Sequence, residues 1–329
     1  MNRFFRQQQK REFINLIRQF FTDQDFFEIE TPILVQSPGI EVHLHGFSTQ
    51  YANFVGERFP FYLPTSPEFA IKKALGNPDF ANHNLFEIAR VFRNAGENTK
   101  QHHPEFNMLE WYRVNADYKN IMSDCEALFS YLAGHFSHMA GGFDWSSPYP
   151  RFSIAELFQR DAQIDLSRAL TDESYWRREV ELVLDQPLAD DDTFEDIFFR
   201  VWLDLIEPKL GLEKPTIVYD YPVEMGALAR RKPGDSRWAE RFEIYARGFE
   251  IGNAFSELTD PDELLNRWHH TNAMREIYGF PPHPIDYSFI EAVGKMPPTG
   301  GIAVGVERLL QAFTGATDIR EFFLLPIPE

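Results

Sequence analysis

Two arginines occupy positions from which a folded chain could present them to an anionic substrate. Arg93 follows a strand-like segment (84–92) and opens the polar loop RNAGENTKQHH, and HHPEF (102–106) then starts a second strand-like segment. Arg308 comes three residues after Gly305, at the start of the last predicted helix. Fixed cations serve reactions at phosphorus, because negative charge accumulates on the phosphoryl oxygens. The spacing therefore raises the question of nucleotide chemistry.

The glycine-rich motifs that usually bind nucleotides do not occur in the sequence. GGIAVGVER (300–308) spaces its glycines like a phosphate-binding loop, but Val306 and Glu307 stand where that loop needs lysine and serine or threonine. No G-x-G-x-x-G precedes a helix either. A chain of this kind that binds ATP must do so on another scaffold.

The elements that must position these residues follow from hydrophobic spacing and turn signals. Strands are predicted at 26–34, 84–92, 107–114, 216–221, 241–258 and 302–306. Helices are predicted at 8–22, 67–76, 117–142, 172–185, 193–210, 261–278 and 307–314. Because hairpins join clustered strands, the order predicts an α+β fold with an antiparallel sheet flanked by helices. One domain over 1–329, with a small helical insertion at about 150–212, accounts for the chain.

Composition narrows the function classes. Apolar residues make up 43% and charged residues 25% of the 329 residues, as in ordinary packed proteins. The net charge of -18 disfavours nucleic acid as a partner. The single cysteine, Cys125, lies on the apolar stripe of a predicted helix, so we expect a core residue in a cytoplasmic protein. No apolar run is long enough for a membrane span, and we expect no membrane association.

Four blocks of sequence carry a family resemblance. They are ARVFRN (89–94), HPEFNMLEWY (103–112), RFEIYARGFEIGNAFSELTD (241–260) and GIAVGVERLL (301–310). In this order they resemble the lysine branch of the class II aminoacyl-tRNA synthetases, and the first helix with the Pro32 segment resembles motif 1 of that class. The resemblance covers almost the whole chain. It implies the class II antiparallel sheet and a homodimer formed through motif 1.

Two features make the chain more similar to the elongation factor P–(R)-β-lysine ligases. The catalytic region starts within the first twenty residues, where lysyl-tRNA synthetases carry an anticodon-binding barrel, and Ala303 stands where those enzymes usually have glycine. The resemblance implies ATP and Mg²⁺, activation of lysine or β-lysine as an adenylate, and transfer to a lysine of elongation factor P, with tRNA an unlikely partner. A related ligase with a tRNA or small-molecule amine acceptor, and an inactive binding paralogue, are the alternatives.

The same resemblance assigns roles to individual residues. Arg93 is expected at the α-phosphate and the substrate carboxylate, Arg308 at the γ-phosphate, and Phe106 against adenine. Further nucleotide contacts are expected from Asn94, Glu97, His102, Glu250, Ile251 and Gly305. Glu243 and Glu250 are the expected Mg²⁺ carboxylates. The amino-acid pocket is expected to comprise Ser66, Glu68, Glu110, Tyr112, Asn253, Glu257 and Ala303.

Several details of this expected site depend on strand geometry. Glu110 and Tyr112 share one strand face by alternation, and Tyr112 with Glu257 is expected at the distal amine. Seven residues separate Glu243 from Glu250, which on one regular strand would put them on opposite faces. A bulge at Gly248 or Gly252 is therefore expected.

Motif 2 departs from the family pattern. Ala95 stands where the family usually has the adenine-reading glutamate, so either Glu97 or backbone groups must take that role.

Overall fold

The computed structural model describes residues 2–96, 98–136 and 142–327. The strands are β1 (Phe26–Glu28), β2 (Ser48–Ala52), β3 (Arg58–Tyr62), β4 (Asn84–Phe92), β5 (Glu105–Val114), β6 (Arg151–Ser153), β7 (Thr216–Pro222), β8 (Trp238–Ala246), β9 (Phe249–Ser256) and β10 (Thr299–Gly305). Within the described ranges, one sheet of eight strands has the order β1-β4-β5-β10-β9-β8-β7-β6, and β2 pairs with β3 in a separate hairpin.

Helices cover the sheet on both faces. They are α1 (Arg3–Asp23), α2 (Glu68–Leu75), α3 (Tyr118–Phe136), α4 (Ile154–Asp161), α5 (Leu166–Ala169), α6 (Glu173–Leu184), α7 (Phe194–Val201), α8 (Pro261–Ile277), α9 (Tyr287–Val293) and α10 (Val306–Thr314). A π-helix (Trp202–Ile206) continues α7 and short 3₁₀ turns follow. In the described ranges, every helix is too short or too polar to cross a lipid bilayer.

The α+β class is confirmed, but the sheet is mixed where the sequence predicted an antiparallel one. The central strands pair antiparallel, whereas β1 pairs parallel with β4 and β6 pairs parallel with β7. Parallel neighbours need a long crossover connection. The chain supplies one between β1 and β4 through the β2–β3 hairpin and α2, and another between β6 and β7 through the helical insertion.

Several predicted boundaries need correction. The first helix spans 3–23 where 8–22 was predicted, and the predicted strand at 26–34 is regular only over β1. The long segment 241–258 is a hairpin of two strands, because Arg247 and Gly248 both take positive φ and turn the chain. The helix predicted to end near residue 142 is described to Phe136, and its predicted end at 137–141 lies outside the described residues.

Two cores sit on opposite sides of the sheet. On one face, α1, α3 and α10 bury Phe13, Trp111, Leu128 and Leu309, together with Cys125, as the sequence predicted. On the other face, apolar side chains of α2, α8 and α9 pack together. The helical insertion has its own core, which extends onto β7 and β8. Between the last two groups, the central strands of this second face remain open to a cavity.

Candidate active site

A cavity of about 470 Å³ lies over the central strands. Fifteen of the predicted site residues line it, namely Ser66, Glu68, Arg93, His102, Phe106, Glu110, Tyr112, Glu243, Glu250, Ile251, Asn253, Glu257, Ala303, Gly305 and Arg308. Asn94 is not part of its lining, since the Asn94 side chain folds back to accept a hydrogen bond from the Ala95 amide. Glu97 lies outside the described residues.

Strand register explains why residues so far apart in sequence share this cavity. Ala303 on β10 is opposite Glu110 on β5 and Asn253 on β9, and Asn253 is opposite Glu243 on β8. Directly opposed residues point to the same face, so these four side chains form a row across the sheet. The row spans three strand spacings, roughly 14 Å. The cavity over this row has two regions that differ in chemistry.

A β-bulge brings Glu250 onto the same face. The register changes between Ile244, which pairs with Gly252, and Tyr245, which pairs with Glu250, so Ile251 is the extra residue. The bulge therefore lies at Ile251 and directly adjoins Gly252, one of the two glycines where it was expected. Three residues separate Glu250 from Asn253, which without the bulge would put their side chains on opposite faces. The Ile251 side chain packs in the main core, although the residue also lines the cavity, and its expected contact with a nucleotide stays a prediction.

At one end of the row, buried acids surround a lysine. Lys72 Nζ lies 2.6 Å from Glu68 Oε1 and 2.5 Å from Glu257 Oε2. The Tyr112 hydroxyl donates to Glu110 Oε2 at 2.9 Å, which confirms that these two residues share a strand face. The second oxygens of Glu110 and Glu257 are buried and accept no hydrogen bond from the described residues. We call this group the amine end of the cavity.

Electrostatics mark the amine end as a place that lacks positive charge. Burial, reinforced by Glu68, raises the pKa of Glu110 well above its usual value. Burial also raises the pKa of Glu257 to about 7, although Lys72 opposes it. Burial would lower the pKa of Lys72, but Glu257 and Glu68 outweigh burial and raise it to about 12. Lys72 is therefore charged, and the acids around it favour a further cation.

Further along the strands, at what we call the phosphate end of the cavity, two arginines line the cavity. Arg93 Cζ lies 5.4 Å from the centre of the Phe106 ring, and its Nε has no hydrogen-bond partner among the described residues. Arg308 Nη1 donates to the Glu250 carbonyl at 2.8 Å and lies 3.6 Å from the Glu250 carboxylate. The first turn of α10 is anchored because the buried Glu307 accepts from the Asn107 amide at 2.9 Å.

The predicted Mg²⁺ carboxylates also lie at the phosphate end, in unequal surroundings. Glu243 accepts hydrogen bonds from the Tyr221 hydroxyl at 2.7 Å and from Arg241 at 2.6 Å. Glu250 lies deep in the protein, and its burial, followed by the neighbouring Glu243, raises its pKa. Its side chain is nevertheless 40% exposed, because it faces the cavity. Two close acids, one of them open, fit a divalent cation that brings phosphate oxygens as its other ligands. Across the described ranges, no group of three His, Cys, Asp or Glu is arranged to hold a metal alone.

Sequence reasoning missed two residues of this site. Lys72 is buried behind Glu68 on α2, and the spacing of four residues was the available signal, because it puts both on one helix face. Gly301 was missed as well. A Cβ there would overlap Glu257 Oε1 and the Tyr112 ring, so only glycine leaves room for the amine end.

The fold and the cavity together define a class of protein. A sheet flanked by helices, with arginines and acids along one sheet face, is the arrangement that motifs 2 and 3 predicted, although the edges of the sheet are parallel. The family model described as tRNA synthetases class II (D, K and N) matches residues 2–328. The chain belongs to this family.

Several curated relatives carry a name that is more specific than the description of the family model. The chain is 34% identical over 331 residues to a protein of Vibrio atlanticus (strain LGP32), covering 97% of this chain and 95% of the relative. It is 36% identical over 308 residues to a protein of Histophilus somni (strain 2336), covering 93% and 90%. A Yersinia enterocolitica protein is 34% identical over 316 residues, covering 94% and 91%. Each of these relatives is named elongation factor P–(R)-β-lysine ligase.

Proposed function

We propose that this chain activates lysine or β-lysine with ATP and transfers the aminoacyl group to a lysine side chain of elongation factor P. The chain is an ATP-dependent aminoacyl ligase of the class II type, and its relatives carry the name of this reaction. The observation that carries the proposal is the pair of unpartnered oxygens, on Glu110 and Glu257, in the cavity that also holds Arg93 and Arg308.

The proposed first step divides the work between the two ends. The amine end holds the ammonium groups of the amino acid, which directs its carboxylate towards Arg93. A carboxylate oxygen then attacks the α-phosphorus of ATP, the bond to the bridging oxygen breaks, and pyrophosphate leaves. Arg93 and Arg308 would stabilise the negative charge on the phosphoryl oxygens; Arg308 is held by its hydrogen bond to the Glu250 carbonyl, and Arg93 lies over the Phe106 ring.

The proposed second step uses the mixed anhydride formed in the first. The uncharged amine of the acceptor lysine attacks the carbonyl carbon, an amide bond forms, and AMP leaves with the electron pair of the broken C–O bond. The attacking amine loses its proton in this step.

We propose Mg²⁺ as the metal of the first step. Glu250 would hold it together with Glu243, whose carboxylate Arg241 and Tyr221 already orient. The ion supplies charge neutralisation on the triphosphate. Removing Mg²⁺ with a chelator should abolish ATP–pyrophosphate exchange, and adding it back should restore the rate.

We also propose a cytoplasmic homodimer with one catalytic domain per chain. Phe4, Phe27 and Ile33 are 69%, 60% and 53% exposed near α1 and the edge strand β1, where motif 1 is expected to form a two-fold contact. The core of the insertion at about 150–212 continues onto β7 and β8, which supports a single domain. A mass near 38 kDa by sedimentation at micromolar concentration would reject the dimer. We propose the cytoplasm as the location of the protein because the proposed acceptor is a translation factor.

The acceptor is tested directly. Incubation with ATP, Mg²⁺, β-lysine and elongation factor P should add one β-lysyl unit to a single lysine of the factor, seen by mass spectrometry. The net charge of -18 should speed encounter with a basic acceptor loop, so the rate should fall as salt increases. Charged tRNA beside an unmodified factor would instead support the ligase with a tRNA acceptor.

A further inference from the structure

The amine end contains one cation of its own, and this cation lies behind the cavity wall. Lys72 is 1% exposed and does not line the cavity, whereas its two partners Glu68 and Glu257 do. Its Nζ makes close ion pairs with both, at 2.6 and 2.5 Å. Lys72 therefore touches the groups that face a ligand without facing the ligand itself.

The charges around Lys72 do not balance. Lys72 is faced by Glu68 from its own helix, by Glu257 from the segment after β9, and by Glu110 with its bonded Tyr112 from β5. Three carboxylates around one ammonium leave two negative charges when all are ionised. Glu110 Oε1 and both carboxylate oxygens of Glu257 are buried and accept no hydrogen bond from the described residues. Glu257 Oε2 is in ion-pair contact with Lys72, which leaves Glu110 Oε1 and Glu257 Oε1 for the ammonium groups of a ligand.

We propose that Lys72 is a positioning residue that holds Glu257 in place and sets the net charge of the amine end, so that the cavity selects substrates with two ammonium groups. This inference rests on the proposed function and deepens it, since it assigns a role to a lysine that lies behind the cavity wall. One ammonium group of such a substrate would pair with Glu110 and the other with Glu257, while its carboxylate goes to Arg93.

Removing the Lys72 charge should change how the remaining acids hold protons. Like charges within about 4–6 Å disfavour ionisation, and an unbalanced buried carboxylate takes up a proton instead. Burial raises the pKa of Glu257 to about 7 even with Lys72 in place, and the pKa of Glu110 is raised as well. Without Lys72, both must rise further. A protonated carboxyl pairs poorly with an ammonium, so binding of the amino acid should need a higher pH.

The test compares Lys72→Met with Lys73→Met. Lys73 is the next residue, is 35% exposed and pairs with Asp286 outside the cavity, so it is a matched control. Mg²⁺-dependent ATP–pyrophosphate exchange with lysine and with β-lysine is measured from pH 6.5 to 9.5. Lys72→Met should raise the amino-acid KM at least ~10-fold at pH 7 and leave the ATP KM unchanged. The deficit should shrink as the pH rises, and Lys73→Met should behave like the wild type.

Chemical rescue separates positioning from a role in folding alone. In Lys72→Ala, added methylammonium or ethylammonium can restore the missing cation, and the amino-acid KM should fall towards the wild-type value. A KM that is unchanged in Lys72→Met overturns the inference. So does a raised KM that responds neither to pH nor to added amine.

A wild-type measurement keeps the inference testable if the variants do not fold. Lysine binding to the wild type at pH 7, followed by calorimetry in two buffers of different ionisation enthalpy, should release protons. Norleucine, which has one ammonium group, should bind at least ~10-fold more weakly and release fewer. Equal binding of the two, or no proton release with lysine, overturns the inference. If the wild type supports no exchange with either amino acid, the proposed function itself fails, which is a different result from normal exchange in Lys72→Met.

Discussion

The two ends of the cavity differ in how deeply their charged groups are buried and in which charges they contain. At the amine end, Glu110 and Glu257 are 1% and 2% exposed, and the charge is arranged before any ligand arrives, with Lys72 fixed among the acids. At the phosphate end, Glu250 is 40% open, and the Arg93 Nε has no partner among the described residues. Ions in the solvent cannot reach the buried amine end, so Lys72 supplies the positive charge there. The more open end is accessible to the counter-charges of a bound nucleotide and of the Mg²⁺ that we propose with it.

The phosphate end should show the largest loss on substitution, because in the proposed first step its arginines stabilise charge that exists only during the reaction. Arg93→Ala and Arg308→Ala should each slow ATP–pyrophosphate exchange by on the order of 10²-fold or more. Arg178→Ala is the control, since Arg178 pairs with Glu179 on the exposed face of the insertion. Exchange at the wild-type rate in either cavity variant would remove the arginines from the mechanism.

Filling space at the amine end should come next in size. Gly301→Ala places a methyl group where Glu257 Oε1 and the Tyr112 ring now lie. We expect the amino-acid KM to rise by up to about 10²-fold, since overpacking costs about 1–3 kcal/mol, while the ATP KM stays unchanged. Gly134→Ala on α3 meets open space and should not change either KM. An equal rise of both KM values in Gly301→Ala would contradict the separation of the two ends.

A substitution that changes charge but not shape tests the role of charge at the amine end. Glu257→Gln removes a negative charge that pairs with ammonium, and charge-assisted hydrogen bonds contribute roughly 1.5–3 kcal/mol. The amino-acid KM should rise about 10- to 100-fold at pH 8, with ATP binding unaffected. Glu291→Gln, at an exposed ion pair with Lys295, is the control. An unchanged KM for lysine would place Glu257 outside the amino-acid site.

The smallest expected effect comes from the middle of the row. The Ala303 methyl group lies between Glu110 and Asn253, where we propose that it limits how an amino group on the α- or β-carbon can be placed. Ala303→Gly should move the ratio of kcat/KM from β-lysine towards α-lysine by about 10-fold, near the lower end of the about 1–3 kcal/mol by which one methyl group discriminates. The ratio is measured in the same exchange assay. An unaltered ratio would remove the residue from substrate selection.

The sequence by itself determined the parts that depend on neighbouring residues. The strand at 84–92 has the predicted bounds, and the alternation that put Glu110 and Tyr112 on one face appears as a hydrogen bond between them. The α+β class followed from the order of strands and helices. These features are local, because a period of two or 3.6 residues and a turn signal are encoded within a few positions.

Only the tertiary structure decided where distant segments meet. The Lys72–Glu257 ion pair joins α2 to the end of β9, and neither residue has a sequence neighbour that reveals the other. The bulge at Ile251 depends on pairing with β8, and the parallel edges depend on where long connections return. Register and charge pairing are properties of elements in contact. The residues that distinguish the amine end from the phosphate end could be named from the sequence, but the lysine that balances the acids required the fold.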